Sequence, residues 1–481
     1  MDSELKYNRY YAVRQHLRTF PDWTTTQGIP QFGLAKRRIC CGFWFVCTLI
    51  ATGLLLWQVI LSITEYYQRG VNVNIELQFE QRVFPAVTVC DSNPYKNSML
   101  DQYPKVKQVL DTYKYAARKL VCAKNAECNY DANSTLDQFE EEYRFTGINN
   151  TGELRQLAKT LTYLAASEYD MSPAMVSKSD LVLACSFNTI GCSDSDWTYL
   201  LDPYVGNCYQ FNMNSEHQAQ RAGPVYGLRL QLKTNVSEYV AVNNGASVIV
   251  MVHDQDEHVI PGSVGYNVET GTRTEISVTY TQISRLGSPY GDCSDAIPDG
   301  YLYDGNYNTE LCQRSEYQKM MIESCDCYDP RYPTPNDTKV DKCNIDDNLS
   351  CWLDYNNQTV GEDCYQPCND GVYAVTISSA TWPTSVGTVV AGCYENAYPE
   401  GCQKAFGENA AWVEIYYEKL NYETMEESPA ATVSSVLSDI GGQIGLFLGM
   451  SVISFVDFVI LFLQLLLSCI LPRYAYLVDF D

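Results

Sequence analysis

Histidine and positive charge are both scarce in this sequence: four His in 481 residues, and 33 Lys plus Arg against 58 Asp plus Glu, a formal net charge of -25. The shortage of cations excludes nucleic acid as a partner, because phosphate recognition runs on clustered Lys and Arg and so acidic a surface repels a polyanion. Four scattered histidines supply neither a metal set nor a catalytic triad, and no HExxH, GxSxG or P-loop pattern occurs. No enzyme chemistry, metal or cofactor is therefore expected. Internal repeats and long low-complexity tracts are absent as well. Disorder is excluded by 46% hydrophobic and 12% aromatic residues, enough to build a core.

Cysteine, by contrast, is abundant, and so are apolar runs. Residues 39–63 (ICCGFWFVCTLIATGLLLWQVILSI) are uncharged throughout, against the roughly 20 residues that cross about 30 Å of hydrocarbon. The run begins too late and continues too long for a cleaved signal peptide, so it reads as an anchor. A second run, 432–471, holds only Asp439 and Asp457 as charges and exceeds what one straight crossing needs. Lys6, Arg9, Arg14, Arg18, Lys36, Arg37 and Arg38 precede the first run, the positive-inside signature. The expected plan is a plasma-membrane protein with both ends cytoplasmic. Residues 1–38 form a cytoplasmic segment, 39–63 a first span, 64–430 an extracellular domain, 431–471 a second span and 472–481 a cytoplasmic tail.

Two features agree with that plan. Cys40, Cys41, Cys47 and Cys469 lie in or beside the spans, leaving 16 of the 20 cysteines outside, an even number suited to disulfides in an oxidising compartment. The glycosylation sequons at Asn133, Asn149, Asn235, Asn336, Asn348 and Asn357 fall in the same segment. Within it, 226–234, 246–252 and 274–281 carry strand periodicity, while 97–120 and 154–166 read as helices. Eight cysteines crowd into 293–368, among Asn, Asp, Pro and Gly. So small an apolar content needs covalent staples to offset chain entropy. The whole reads as a two-span membrane protein with a large, disulfide-rich mixed α/β extracellular domain.

The second span is not uniformly apolar. Between 438 and 451 it runs SDIGGQIGLFLGMS, with Gly441, Gly442, Gly445 and Gly449 beside Ser438, Asp439, Gln443 and Ser451. Glycine lets helices approach closely, and also lets backbone carbonyls turn toward a lumen. Asp457 sits deep in the apolar run, where a carboxylate facing lipid is costly, so it should face an aqueous path and concentrate cations. Small residues at such spacing equally suit a helix-packing interface, and the pattern alone leaves both readings open.

From TTTQGIP (24–30) onward the chain resembles the degenerin/epithelial sodium channel family, including its acid-sensing members. The blocks FPAVTVCDSNPY (84–95), GNCYQFN (206–212), RLGSPYGDC (285–293) and LSDIGGQIGLFLGMS (437–451) match family signatures in order and with compatible spacing. The resemblance implies a sodium-selective cation channel blocked by amiloride-type compounds, assembled in the bilayer as a homo- or heterotrimer. Each subunit would carry a β palm and ball, a helical finger and knuckle, and a thumb within 293–368. The family's Gly-x-Ser filter reads Gly449-Met450-Ser451 here. Asp457 corresponds to an acidic ring, Ser438 to the degenerin site and Asp439 to the outer mouth. Gly441 and Gly442 belong to the outer pore, and Gly445 to amiloride block.

By the same analogy the bridges are Cys90–Cys208, Cys185–Cys192, Cys293–Cys368, Cys312–Cys364, Cys325–Cys351 and Cys327–Cys343. Glu316 and Glu362 replace both cysteines of one family bridge. Cys122/Cys128 and Cys393/Cys402 remain to close local loops. A zinc site competes for any close pair, but the extracellular setting argues against it.

The family's His-Gly pair, tied to a re-entrant loop and to gating, reads Gln27-Gly28 here. A second carboxylate of some relatives is replaced by Ile460, so selectivity strength is open. The stimulus is open too: a peptide, a proton, tension or constitutive opening. Acid-sensing histidines are missing from EYYQRGVNV (65–73), so a proton sensor would rest on carboxylates such as those of HDQDEH (253–258), which otherwise reads as a solvated loop. Tyr290 is a candidate to pack on Tyr66 or Tyr67 and couple the thumb to the pore, the alternative being ordinary interfacial aromatic packing. A non-conducting receptor or regulatory subunit on the same scaffold is the competing function. An ATP-gated trimer would need a basic phosphate pocket. A bulky residue in place of Ser438 is expected to hold the pore open, read as a constitutive amiloride-sensitive current; a variant that adds no current counts against that correspondence.

Overall fold

The computed structural model describes residues 2–34, 38–123, 128, 130–335, 339–356, 358, 360–361, 363–384 and 401–470. The chain divides into two compact units, Met1–Val73 with Glu427–Asp481, and Asn74–Glu426.

The first unit is helical. Arg38–Gln68 is one helix of 31 residues, apolar through its middle and almost entirely unburied within the chain. At about 1.5 Å per residue it is some 46 Å long, more than the hydrocarbon core requires, and it extends past the expected 39–63 at both ends. The second apolar run is two helices, Val433–Leu448 and Val452–Ile470. Thr432 starts the first of these as a capping box: the Ser435 N–H donates to the Thr432 Oγ1 at 3.1 Å, and the Thr432 N–H donates to the Ser435 Oγ at 2.8 Å. Asp2–Trp23 and Ile29–Leu34 precede the first span. The tail 471–481, Lys36 and Arg37 lie outside the described residues.

The second unit is mixed α/β. Among the described residues its five-stranded antiparallel sheet runs in the order Tyr266–Glu269, Ser247–His253, Ala86–Asp91, Gly206–Phe211, Trp197–Asp202. A larger sheet has the order Val71–Phe79, Asn421–Pro429, Thr272–Ser284, Ala410–Tyr417, Leu228–Lys233, Val182–Phe187, Ile190–Gly191. The long strand Asn369–Thr381 pairs with Thr272–Ser284 over its whole length. Between the sheets lies a core of alternate residues such as Val87, Val89, Leu228, Leu230, Val248, Val250, Ile276 and Val278, all nearly inaccessible.

A second core is helical. Val106, Val109, Leu110 and Tyr113 of Pro104–Cys122 pack with Leu154, Ala158, Leu161 and Ala165 of Thr151–Ala166, the three-and-four spacing of one helical face. The helix expected at 97–120 begins at Pro104, because proline suits the first turn of a helix and not its interior. What precedes it, Asn97–Gln102, is a short 3-10 turn. Likewise Tyr226 falls in a 3-10 turn ahead of the strand Leu228–Lys233.

Among the described residues, seven disulfides join Cys90–Cys208, Cys122–Cys128, Cys185–Cys192, Cys293–Cys368, Cys312–Cys364, Cys325–Cys351 and Cys327–Cys343. The expected Cys393–Cys402 pair and Glu362 lie outside the described residues, while Glu316 sits 3.9 Å from the Lys319 ammonium. Around Cys325–Cys351 and Cys327–Cys343 a largely buried polar network forms. The Trp352 indole N–H donates to the Asp329 Oδ2 at 2.7 Å, and the Arg331 guanidinium donates to the same carboxylate at 2.7 Å. Trp352 is 0% exposed. Trp352→Ala is expected to destabilise the second unit by about 3–5 kcal/mol, read as a lower melting temperature of the detergent-solubilised full chain; an unchanged melt would remove the network from that role.

Candidate functional site

The break in the second apolar run is where the residues singled out above converge. Gly449 closes Val433–Leu448 in the left-handed region (φ +59), its N–H donating to the Gly445 carbonyl at 3.0 Å. A Cβ there would stand 2.7 Å from the Gln27 Cγ. Glycine is thus required both for its φ and for the side chain pressed on it. Ser451 then starts Val452–Ile470. Its N–H donates to the Ser454 Oγ at 3.1 Å, and the Ser454 N–H donates to the Ser451 Oγ at 3.4 Å.

Residues 24–28 lie against this break. The Gln27 N–H donates to the Leu448 carbonyl at 3.2 Å, one of the carbonyls a helix end leaves without an intrahelical partner. Gly28 has φ +93, and a Cβ there would stand 2.9 Å from the Thr48 Oγ1 of the first span. The Thr25 N–H and hydroxyl both donate to the Asp457 Oδ2, at 2.9 and 2.8 Å. Asp457 and Ser454 are 8% and 1% exposed. Within this chain the carboxylate thus does not face the open solvent expected of it: it turns to the Thr25 segment, whose two donors replace water. The fold therefore gathers Gln27, Gly28, Gly449, Met450, Ser451 and Asp457 in one place. Thr25 and Ser454 are additions that sequence reading passed over. Their signals were the Thr run ahead of Gln27, and a serine three residues before Asp457, on the same helical face.

Ser438, Asp439, Gly441, Gly442 and Gly445 all lie on Val433–Leu448 and are exposed. A Cβ built on Gly441 or Gly442 meets nothing within 4 Å, so no neighbour in this chain demands glycine there. Gln443 turns the other way, its amide donating to the Ser62 Oγ at 3.1 Å. Tyr66 and Tyr67 meet edge to face at 5.6 Å near the end of the first span. Tyr290 is half-buried in a turn, its N–H donating to the Gly287 carbonyl at 3.1 Å.

In the second unit, the segment HDQDEH is not a simple solvated loop. His253 ends a strand, is 1% exposed, donates from its Nδ1 to the Asp254 carbonyl at 2.7 Å and accepts at Nε2 from the Thr88 hydroxyl at 2.7 Å. Burial pushes its pKa down to about 4, so the imidazole is neutral at physiological pH. Burial also pushes Glu257 up, reinforced by the charges of Asp370 and Asp254. These three carboxylates, with Asp295 and a lone guanidinium from Arg285, line a cavity of about 620 Å³. Among the sequons, Asn133, Asn149 and Asn235 are exposed and Asn348 is half-buried, whereas Asn336 and Asn357 lie outside the described residues.

Asp91, in the FPAVTVCDSNPY block, is buried between the ends of two strands. It accepts from the Thr234 hydroxyl at 2.7 Å, the Tyr239 hydroxyl at 3.0 Å and the Asn93 N–H at 2.9 Å. Desolvation outweighs those three donors and raises its pKa to about 6.

Long apolar helices in one unit, one of the apolar runs broken at a glycine, and a disulfide-bonded mixed α/β unit fit a two-span membrane protein. A family model described as "Amiloride-sensitive sodium channel" matches residues 20–461, and the chain belongs to that family. It is an ion-channel chain and not an enzyme. Among the relatives, Degenerin mec-10 of Caenorhabditis briggsae is 26% identical, covering 94% of this chain and 84% of that protein. Degenerin unc-8 of Caenorhabditis elegans is 33% identical over 69% of this chain and 45% of its own length. Degenerin-like protein asic-2 of the same species is 29% identical over 95% and 87%. The solved structure of a proton-activated chloride channel aligns over 89% of this chain at 7% identity with a TM-score of 0.29, a likeness that carries no argument.

The sign of the Asp91 shift gives a pH dependence. Its folded pKa lies above the unfolded value of about 3.9, so the folded state holds the proton more tightly. The stabilising contribution is complete below about pH 4 and is lost as pH rises through about 6. Asp91→Asn is expected to flatten the stability profile by about 2–3 kcal/mol between pH 4 and pH 7.5 relative to the native chain. Chemical unfolding of the purified full chain at those two pH values measures it, and identical profiles would refute the assignment.

Proposed function

We propose that this chain conducts sodium passively through a trimeric, amiloride-sensitive pore in the plasma membrane, with both termini cytoplasmic and the second unit outside. Gly449, Met450 and Ser451 of each subunit form the selectivity belt, where backbone carbonyls replace part of a cation's hydration shell. Asp457 supplies negative charge beneath it, and the Gln27-Gly28 segment completes the lower wall. Ser438, Asp439, Gly441, Gly442 and Gly445 line the outer mouth, with Gly445 the blocker position. Sugars on the exposed sequons mark the extracellular side. The acidic cavity around Asp254, Glu257 and Asp370 receives the stimulus, a proton or the cationic end of a peptide.

The observation that carries this reading is the glycine-centred break. A crossing built only to anchor gains nothing from an interrupted helix, because freed backbone groups at membrane depth are tolerated only beside protein or water. The open glycine face of Val433–Leu448 supports it independently, since no contact within the chain requires those residues.

Whole-cell recording of the chain expressed alone, against acid, peptide and stretch, is the test. An amiloride-sensitive sodium current is expected, with Asp457→Asn lowering the sodium-to-potassium permeability ratio or the unitary conductance. Absence of current under every stimulus favours a regulatory or heteromeric subunit, and unchanged permeation in Asp457→Asn removes the acidic ring.

A further inference from the structure

We propose that Thr25 is a positioning residue for permeation, whose hydroxyl ties the orientation of the Gly449-Met450-Ser451 belt to the Asp457 carboxylate. The inference rests on the pore reading above and names a residue that reading does not use.

The contact is built from both ends of the chain. Thr25 and Asp457 are 432 positions apart in sequence, yet two donors of one residue meet the same carboxylate oxygen. The donor directions are fixed by chemistry. The Thr25 hydroxyl has one proton and donates it to the Asp457 Oδ2, so the Thr25 Oγ1 must accept from Ser454, whose Oγ lies 2.7 Å away. The Ser454 Oγ in turn accepts the Ser451 N–H. A single polarised chain runs Ser451 N–H, Ser454 O–H, Thr25 O–H, Asp457 carboxylate, each member strengthening the next toward the charge. Its first member belongs to the belt and its last is the acidic group beneath. Ser454 and Asp457 are both nearly inaccessible within the chain, so each depends on the Thr25 contacts for its partners.

The backbone contact and the hydroxyl contact are separable. Any residue at 25 other than proline keeps the N–H donated to Asp457, so the segment stays docked while the relay is cut. In Thr25→Val the Ser454 hydroxyl loses its acceptor and turns to the carbonyl four residues back, that of Met450, in the belt itself. Thr25→Ser keeps the relay. A merely structural role for Thr25 would alter expression or stability, and would not sort valine from serine by ion preference.

Permeability ratios from reversal potentials, measured on the full chain, read the relay. Thr25→Val is expected to change the sodium-to-potassium ratio by about threefold or more, the size a lost hydrogen bond to a charged group allows. Thr25→Ser should restore the native ratio, and Thr25→Val should add nothing to Asp457→Asn, since both cut one chain. A native ratio in Thr25→Val, in a chain that conducts, overturns the proposal.

A second measurement does not need current. In a chain carrying Cys40→Ser, Cys41→Ser, Cys47→Ser and Cys469→Ser, the pair Thr25→Cys and Ser454→Cys should form a disulfide under mild oxidation, read as reversible loss of maleimide labelling. Failure to cross-link overturns the contact, whether or not the chain conducts. Cross-linking in a silent chain upholds the contact and counts against the pore reading alone.

Discussion

A backbone N–H or C=O at membrane depth has no water to turn to, and that constraint governs the residues around the break in the second apolar run. Interrupting an apolar crossing at Gly449 frees the carbonyls of one helix end and the amides of the next. Each freed group that can be traced finds a specific partner. The Leu448 carbonyl takes the Gln27 N–H, and the Ser451 and Ser454 amides take each other's hydroxyls. The N-terminal segment is therefore part of the crossing's hydrogen-bond economy. Gln27 plays that part through its main chain, so the contact does not depend on the side chain at this position.

The same logic extends to charge. Asp457 lies where an isolated carboxylate would be costly, and two donors from Thr25 satisfy it. Its charge is thereby held in one orientation instead of swinging freely. In the disulfide-bonded unit the corresponding problem is entropy. The stretch from Cys293 to Cys368 has few apolar residues, and four of the seven disulfides close within it. They enclose the buried ion pair of Asp329 and Arg331 under Trp352, a network that is tolerable only because every member is hydrogen-bonded.

Elements with strong periodicity were legible in the sequence. Thr151–Ala166, Ser247–His253 and Thr272–Ser284 stand where the 3.6 and 2.0 periods put them. Their limits were less legible, since Pro104 and Tyr226 moved helix and strand starts by local rules that a periodicity scan weighs lightly. In the candidate site, the glycines and Asp457 announced themselves by being wrong for an anchor. Thr25 and Ser454 did not, because a threonine in a polar tract and a serine in a span are individually ordinary. His253 was misjudged for the opposite reason: a charged neighbourhood in sequence concealed a strand end buried beneath Thr88.

Composition and pattern alone determined that two runs are long and apolar enough to cross a membrane, that the large middle segment is covalently stapled, and that the second run is not uniformly apolar. These follow from solvation and chain entropy, which act on residue type wherever the residue lies. Which polar groups meet was decided by the tertiary structure. Hydrogen bonds act over about 3 Å, and only folding brings residue 25 that close to residue 457. No rule of local spacing reaches across 432 positions.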